Sequence, residues 1–335
     1  MKDINDEKSS DVFSMKDNEI DGNLNFLFCF DNNYNLQAFT AIFSLLENVS
    51  KKINIHVIHN KSNIVNDLPD VISKHTNLAN FTDYTFKDLN YNFPNLNNVH
   101  LSEATYYRLF IENYLPSKIK LLVYLDGDTV CIEDPIDLIE SQLIQLKKSE
   151  KVISARTEYT VNEYPDRFDR LNMNSSYFNA GVLLIDYEKW RDQGLSKALV
   201  EHMKKIKDSV VNWDQDVINS LINGDYIELN SVLNFNANSL DKLEKDKDSP
   251  IILHYIGSKK PWLTSGALRY PNSSNYYHRY YSKITKNTYH IAHKWRRASL
   301  FQYLGSLFNL KLFRLDKPFV YTKELFISFF NNKLN

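Results

Sequence analysis

From Leu24 to Tyr255, apolar runs of strand length alternate with segments of helical periodicity. That alternation restricts the fold more than any other feature of the chain. LNFLFCF (Leu24–Phe30), INIHVIH (Ile53–His59), Asn80–Tyr84, KLLVYLD (Lys120–Asp126), Val152–Ala155, Ala180–Ile185 and IILHY (Ile251–Tyr255) read as strands. Leu36–Asn48, Ile64–His75, Ala104–Tyr114, Trp190–Lys207 and Asp214–Asn223 read as helices. Pro69 complicates the second of these, and the third stops before Pro116. This spacing predicts an α/β fold with a mostly parallel, Rossmann-like sheet covered by helices on both faces. Ligands of such sheets sit at the carboxyl ends of the strands. The residues there are polar: Asp31 and Asn33 after the first strand, Asp126-Gly127-Asp128 after KLLVYL, and His254 at the end of the last.

The way a nucleotide could be held is narrowed by glycine. At about 7% usage a chain of 335 residues would carry roughly 23 glycines, and this one has 8. No two lie closer than Gly257 and Gly266. That spacing leaves no G-x-G-x-x-G fingerprint, no glycine-rich phosphate loop and no G-x-S-x-G elbow. Any bound nucleotide must therefore be held without a glycine-rich cradle.

An apolar fraction of 43% is enough for a sizeable core. Cys29 and Cys131 sit in or beside apolar runs, and a reducing cytosol is a simpler reading than a disulfide. Residues 1–22 read as an acidic, flexible leader without the apolar stretch of a signal peptide. No run of about 18 apolar residues suggests a membrane span. The net charge of −1 conceals an asymmetry: from Arg279 onward there are 11 Lys and Arg against two acids, Asp316 and Glu324. The rest holds 29 basic and 39 acidic residues, so an anionic partner is expected for the tail alone.

Asp126 and Asp128 flank Gly127, and alternate residues of an extended backbone face the same side. Two carboxylates ~5 Å apart repel by ~3 kcal/mol at an effective dielectric of about 20. A divalent cation offsets that cost, and oxygen ligands suit Mg²⁺ or Mn²⁺. Gly127 would leave space above the loop for a ligand, although D-G is also a common turn dipeptide. His254 is placed to be a third ligand or a satisfied buried histidine, and Lys260 to meet a phosphate or solvent. Arg108, on an otherwise apolar helix, needs a carboxylate or phosphate partner, in a donor site or in a structural salt bridge. Asp214-Gln215-Asp216 opens a helix, where one of the acids is expected to cap. Gln215 adds nothing to the helix dipole. Asn179-Ala180-Gly181 opens the strand AGVLLI with small residues that permit a close backbone approach or a bulge.

FCFDNNY (Phe28–Tyr34), TYYRL (Thr105–Leu109), YLDGDTV (Tyr124–Val130), FNAGVLLID (Phe178–Asp186) with Trp190-Arg191, DQDVIN (Asp214–Asn219), LNFNAN (Leu233–Asn238) and HYIGSKKPW (His254–Trp262) follow one another in this order. Together they resemble the retaining glycosyltransferases of family 8, the bacterial lipooligosaccharide galactosyltransferase group with glycogenin as a distant relative. The resemblance spans about Leu24 to Pro271. It implies a GT-A fold, a UDP-sugar donor (UDP-galactose or UDP-glucose) and Mn²⁺, with Mg²⁺ as an alternative. It implies Asp126, Asp128 and His254 as metal ligands, and Cys29, Asp31 and Asn33 at uracil and ribose. Gly257 and Lys260 would contact the diphosphate. Arg108, Gly127 and Ala180 would line the donor site, Asn179 and Asp214 would meet sugar hydroxyls, and Gln215 would lie under the anomeric carbon. Asp214 and Gln215 are the catalytic candidates, with Glu158 in the acceptor cleft. The sequence departs from the pattern at Asn32, where relatives often carry an acid.

The implied organisation is a leader (1–22), a GT-A catalytic domain (23–275) and a basic, aromatic helical tail (276–335). The tail has the composition of an interfacial membrane segment or of a helix pair packed on the body. The first reading implies a cytoplasmic enzyme peripheral on the inner face of the membrane, acting on a lipid-linked glycan and not on nucleic acid. His290 and His293 are expected at the surface. A self-glycosylating transferase of the glycogenin type and an inactive glycan- or nucleotide-binding module are the competing readings.

Overall fold

An apolar run without polar alternation can form a strand only where both faces of the sheet are covered. The first strand obeys this rule. In the computed structural model, which describes residues 22–87, 91–95, 103–242, 249–292 and 296–330, Phe26, Phe28 and Phe30 enter one core while Leu27 and Cys29 enter another. Leu121, Val123 and Leu125 divide in the same way from Leu122 and Tyr124. The expected leader lies outside the described residues apart from Gly22.

The strands are β1 (Asn25–Phe30), β2 (Ile53–His59), β3 (Leu78–Thr85), β4 (Leu121–Leu125), β5 (Thr129–Cys131), β6 (Ile153–Tyr159), β7 (Tyr177–Asp186), β8 (Ile227–Glu228), β9 (Phe235–Asn236) and β10 (Ile252–His254). Seven of them form the main sheet in the order β3-β2-β1-β4-β7-β6-β8. Only β7 runs antiparallel to its neighbours, β4 and β6. The remaining pairs are parallel, so the mostly parallel sheet is as expected. The helices are α1 (Asn35–Asn48), α2 (Asp70–Ser73), α3 (Ile136–Lys148), α4 (Pro165–Leu171), α5 (Tyr187–Asp192), α6 (Leu195–Lys205), α7 (Trp213–Ile222), α8 (Thr264–Ala267), α9 (Pro271–Ile284), α10 (Arg296–Phe308) and α11 (Pro318–Phe330). α1 and α3 cover one face of the sheet, and α5, α6 and α7 cover the other.

Several expected elements differ for local reasons. The helix expected over Ile64–His75 breaks at Pro69 into a 3-10 turn, Ile64–Asp67, and α2. The one expected over Trp190–Lys207 divides at Gly194, which takes φ +59°. Ala104–Tyr114 forms a 3-10 helix over Glu103–Asn113 with a kink at Phe110. Its aromatic residues favour the α-helix weakly, and tertiary contacts fix them: Tyr107 stacks on Phe86 at 3.9 Å, and Tyr106 Oη donates to Pro94 O at 2.8 Å. His254 does not extend the main sheet. It lies on a second, three-stranded sheet, β5-β10-β9.

The described residues beyond Pro271 pack on the body, where Tyr289, Tyr303 and Tyr321 share a core with Ala267 and Leu268. α9 runs across residue 275 without interruption, and Tyr277 and Tyr281 join a core with Trp262. His290 corrects the surface expectation. It is buried, stacks on Tyr281 at 4.9 Å and shares a 2.8 Å hydrogen bond with Tyr277 Oη. An imidazole flanked by aromatic rings shares their burial, and burial drives its pKa down to about 4. His293 lies outside the described residues. Cys29 and Cys131 are buried free thiols.

Candidate active site

The turn that carries the two aspartates is pinned from both sides. Asp126 N donates to Gly181 O at 2.8 Å, which ties the end of β4 to β7. Asp126 O then accepts from Thr129 Oγ1 at 2.9 Å. A Cβ on Gly127 would lie 3.2 Å from both Ala38 Cβ and Tyr34 Cδ1. Gly127 thus corrects one expectation: the space it leaves faces α1 beneath the loop and not a ligand above it. β5 continues from this turn and pairs with β10, placing His254 opposite Thr129. This cross-strand pairing brings the histidine to the aspartates.

One ligand atom from each of Asp126, Asp128 and His254 lies within 4.8 Å of the other two. His254 Nε2 is 3.4 Å from Asp128 Oδ1 and 3.8 Å from Asp126 Oδ2. Two carboxylates and an imidazole suit a hard to borderline divalent cation such as Mn²⁺ or Mg²⁺. Lys260 Nζ contacts Asp128 Oδ2 and donates to Tyr255 O at 2.6 Å. Burial alone would raise the Asp128 pKa, but Lys260 and His254 together hold it well below the usual carboxylate range. Gly257, at φ +81° in open space, turns the loop that carries Lys260. Gly266 lets that loop approach closely, because a Cβ there would lie 2.1 Å from Lys260 O.

Arg108 finds carboxylate partners. Its Nε is 2.6 Å from Asp214 Oδ2, and its Nη2 is 3.3 Å from Asp126 Oδ1. Nη1 donates to Ala180 O at 2.5 Å, and the guanidinium lies 4.3 Å over the Tyr124 ring. Burial would depress the Arg108 pKa, but Asp126 and Asp214 more than offset it and hold the charge on. One guanidinium serves two carboxylates, and the more deeply buried Asp214 is pushed up to about 7, by burial first and by Asp126 and Asp216 after it. Tyr124 Oη donates to Asp126 Oδ1 at 2.6 Å.

Gln215 is held at both ends of its carboxamide. Its Oε1 accepts from Ala180 N at 3.0 Å, and its Nε2 lies 3.2 Å from Tyr177 Oη and 3.4 Å from Glu158 Oε2. Glu158 also faces Asn179 Nδ2 at 3.5 Å. The start of α7 that presents Asp214 and Gln215 is fastened by the fully buried Asp216. Its Oδ2 accepts from Val211 N and Asn212 N at 2.8 and 2.9 Å, and its Oδ1 from Tyr177 Oη at 2.7 Å. The capping expectation for DQD is corrected: the N-cap is Asn212, which has no side-chain cap bond. Asp216 sits inside the helix and instead ties down the Val211-Asn212 segment leading into it, next to Trp213 at φ +47°.

The structure joins Asp126, Asp128, His254, Lys260, Arg108, Ala180, Asn179, Asp214, Gln215 and Glu158 in one network. Asp31 and Asn33 stand at the end of β1, where Asp31 Oδ1 accepts from Asn33 N at 2.9 Å. Cys29, two residues earlier on β1, is buried, and its thiol pKa is pushed up by burial and feels the charges of Arg108, Asp126 and Asp214. Sequence reasoning assigned no role to Tyr124, Tyr177 or Asn234. The period of 2 along β4 relates Tyr124 to Asp126, a signal that was available. Asn234 lies within LNFNAN, but only the fold reveals its contacts.

A sequence model of the family described as glycosyl transferase family 8 matches residues 25–266. The chain is 28% identical over 259 residues to a putative glycosyltransferase of Haemophilus influenzae, an alignment covering 71% of this chain and 73% of that protein. It is 29% identical over 177 residues to a lipopolysaccharide 1,3-galactosyltransferase of Salmonella typhimurium, covering 51% and 52%. Among solved structures it resembles the galactosyltransferase LgtC in complex with donor and acceptor sugar analogs, with TM-score 0.66 and 25% identity. That likeness covers 78% of this chain and 96% of LgtC, and accords with a GT-A fold.

Proposed function

The chain belongs to glycosyl transferase family 8, and from that premise we propose that it is a retaining, UDP-sugar-dependent hexosyltransferase. It moves galactose or glucose to a lipopolysaccharide-type glycan. The convergence of Asp126, Asp128 and His254 beside Asn179 and Gln215 carries this reading. The sugars named for the Salmonella relative and the LgtC complex support the donor and acceptor classes. Asp126, Asp128 and His254 would hold a divalent cation, Mn²⁺ by preference, which when bound would supply positive charge for a departing diphosphate.

Lys260, on the Gly257 loop, meets the diphosphate by leaving Asp128. Asp31, Asn33 and Cys29 border the base and ribose. Arg108 and Asp214 form a buried pair that orders the floor under the sugar, and Asn179 binds its hydroxyls. Gln215 is a poor nucleophile, since an amide oxygen carries no charge and this one already accepts from Ala180 N. Asp214 is also unsuited: it is paired with Arg108, and its raised pKa keeps a large fraction protonated at neutral pH. These restraints favour attack from the leaving-group face, with the departing phosphate oxygen taking the acceptor proton. Glu158 faces the acceptor side. NMR of sugar released from UDP-glucose or UDP-galactose tests this directly. First-formed α-hexose supports retention, and first-formed β-hexose overturns it.

The enzyme works at the inner face of a membrane. Phe301, Phe308 and Phe319 are 73%, 90% and 80% exposed on α10, its end and α11. Lys311, Arg314 and Lys317 lie in the connection between α10 and α11, and Lys323 lies on α11, a combination that suits an anionic surface. Among the described residues no helix is long and apolar enough to cross a membrane.

A further inference from the structure

The polar contacts that join the sugar-facing residues to the proposed metal ligands have a direction, and a backbone amide fixes it. Gly181 N–H can only donate, and it donates to Asn179 Oδ1 at 3.0 Å. Asn234 also meets that oxygen, at 3.1 Å, so the group it presents must be its amino group, Nδ2. The other end of the Asn234 carboxamide, Oδ1, then faces His254 Nδ1 at 2.9 Å. An oxygen acceptor there requires Nδ1 to carry the hydrogen, which leaves the lone pair on Nε2, the nitrogen that faces Asp126 and Asp128. Asn234 itself cannot turn freely. It is fully buried, and its main-chain carbonyl accepts from Arg156 Nη1 at 2.5 Å.

We propose that Asn234 is a positioning residue of the active site: it selects the His254 nitrogen offered to the cation, and it holds Asn179 toward the donor sugar. Ligating histidines elsewhere depend on such partners for tautomer and orientation. This inference rests on the proposed metal and donor roles of His254 and Asn179. It adds that one buried carboxamide serves both.

Two substitutions separate the two contacts. Asn234→Ala removes both. Asn234→Asp keeps an acceptor for His254 Nδ1–H but sets a second acceptor against Asn179 Oδ1. Mn²⁺ binding to the full chain is read by EPR without nucleotide. Binding of UDP-glucose, UDP-galactose and UDP is read by calorimetry at saturating Mn²⁺. Asn234→Ala is expected to weaken Mn²⁺ binding by about 10–100-fold. Asn234→Asp is expected to bind Mn²⁺ at least as tightly as the unaltered chain, yet to lose about tenfold in UDP-sugar affinity while UDP affinity stays. If Asn234→Ala does not fold, the split shown by Asn234→Asp decides. Two correctly folded variants with unaltered Mn²⁺ and UDP-sugar binding would overturn the inference, as would loss of UDP and UDP-sugar binding in equal measure by Asn234→Asp. Nitrogen-15 NMR of the metal-free chain, with His254→Gln assigning the signal, reads the tautomer itself. Nδ1–H is expected, and Nε2–H would contradict the inference. An unaltered chain that shows Nδ1–H but binds no Mn²⁺ would sink the metal reading and leave the tautomer assignment supported.

Discussion

Arg108 Nε lies 2.6 Å from Asp214 Oδ2, and both side chains are buried. The pair is unbalanced, because Arg108 also faces Asp126 at 3.3 Å. Burial first, and the Asp126 charge after it, outweigh Arg108 and push the Asp214 pKa up to about 7. The native state then binds this proton more tightly than the unfolded chain does. The resulting stabilisation is complete below the unfolded value near pH 4 and is lost as pH rises through about 7. Asp214→Asn should gain stability relative to the unaltered chain as pH rises across that window, by no more than about 4 kcal/mol. Thermal melts from pH 4 to 8 check this, and a difference that stays flat with pH would contradict it.

Gly181→Ala should damage the metal site. The new Cβ would lie 2.1 Å from His254 Cε1, and that ring is buried and held at Nδ1 by Asn234. Overpacking of this kind costs about 1–3 kcal/mol. Chemical denaturation should show a loss of that size, together with Mn²⁺ affinity reduced by at least about tenfold. Unaltered Mn²⁺ affinity would mean that His254 is not held where Asp126 and Asp128 need it.

Lys260 contacts Asp128 and so stands where a cation would bind. Lys260→Ala should therefore act in opposite directions on two ligands. Without nucleotide, Mn²⁺ should bind more tightly, because the competing ammonium is gone. With Mn²⁺ present, UDP should bind less tightly, by about tenfold for one lost charged contact. Calorimetry with each ligand checks both signs, and parallel changes would refute the exchange of Lys260 between Asp128 and phosphate.

The tail also calls for point substitutions. Glu324 accepts from Thr288 N and Tyr289 N, and Tyr321 packs against Tyr289, so removing the tail would strip a core away. Phe308→Ser with Phe319→Ser should leave folding intact, since both rings are exposed. Sedimentation with phosphatidylglycerol-containing vesicles should fall several-fold. Undiminished sedimentation would remove these rings from the membrane account.

Much of this was legible in the sequence because the relevant signals are local. Both-face burial made β1 and β4 continuous apolar runs, and the polar residues after them stood out by contrast. Pro69 and Gly194 broke two expected helices through backbone effects visible in the chain itself. His290 and Asn234 were not legible in this way. Their roles arise from contacts across the fold: His290 with Tyr277 and Tyr281, and Asn234 with Asn179, 55 positions away. Gly127 was misjudged because its neighbour, α1, is supplied by tertiary packing.

The central claim is that Asp126, Asp128 and His254 hold a divalent cation on which sugar transfer from a UDP donor depends. Release of UDP from a panel of UDP-hexoses, with and without Mn²⁺, tests it most directly when Asp128→Ala is run beside the unaltered chain. The account predicts Mn²⁺-dependent UDP release from UDP-galactose or UDP-glucose, reduced at least about 100-fold in Asp128→Ala. Full turnover by that variant, or turnover indifferent to Mn²⁺ and chelator, would contradict it.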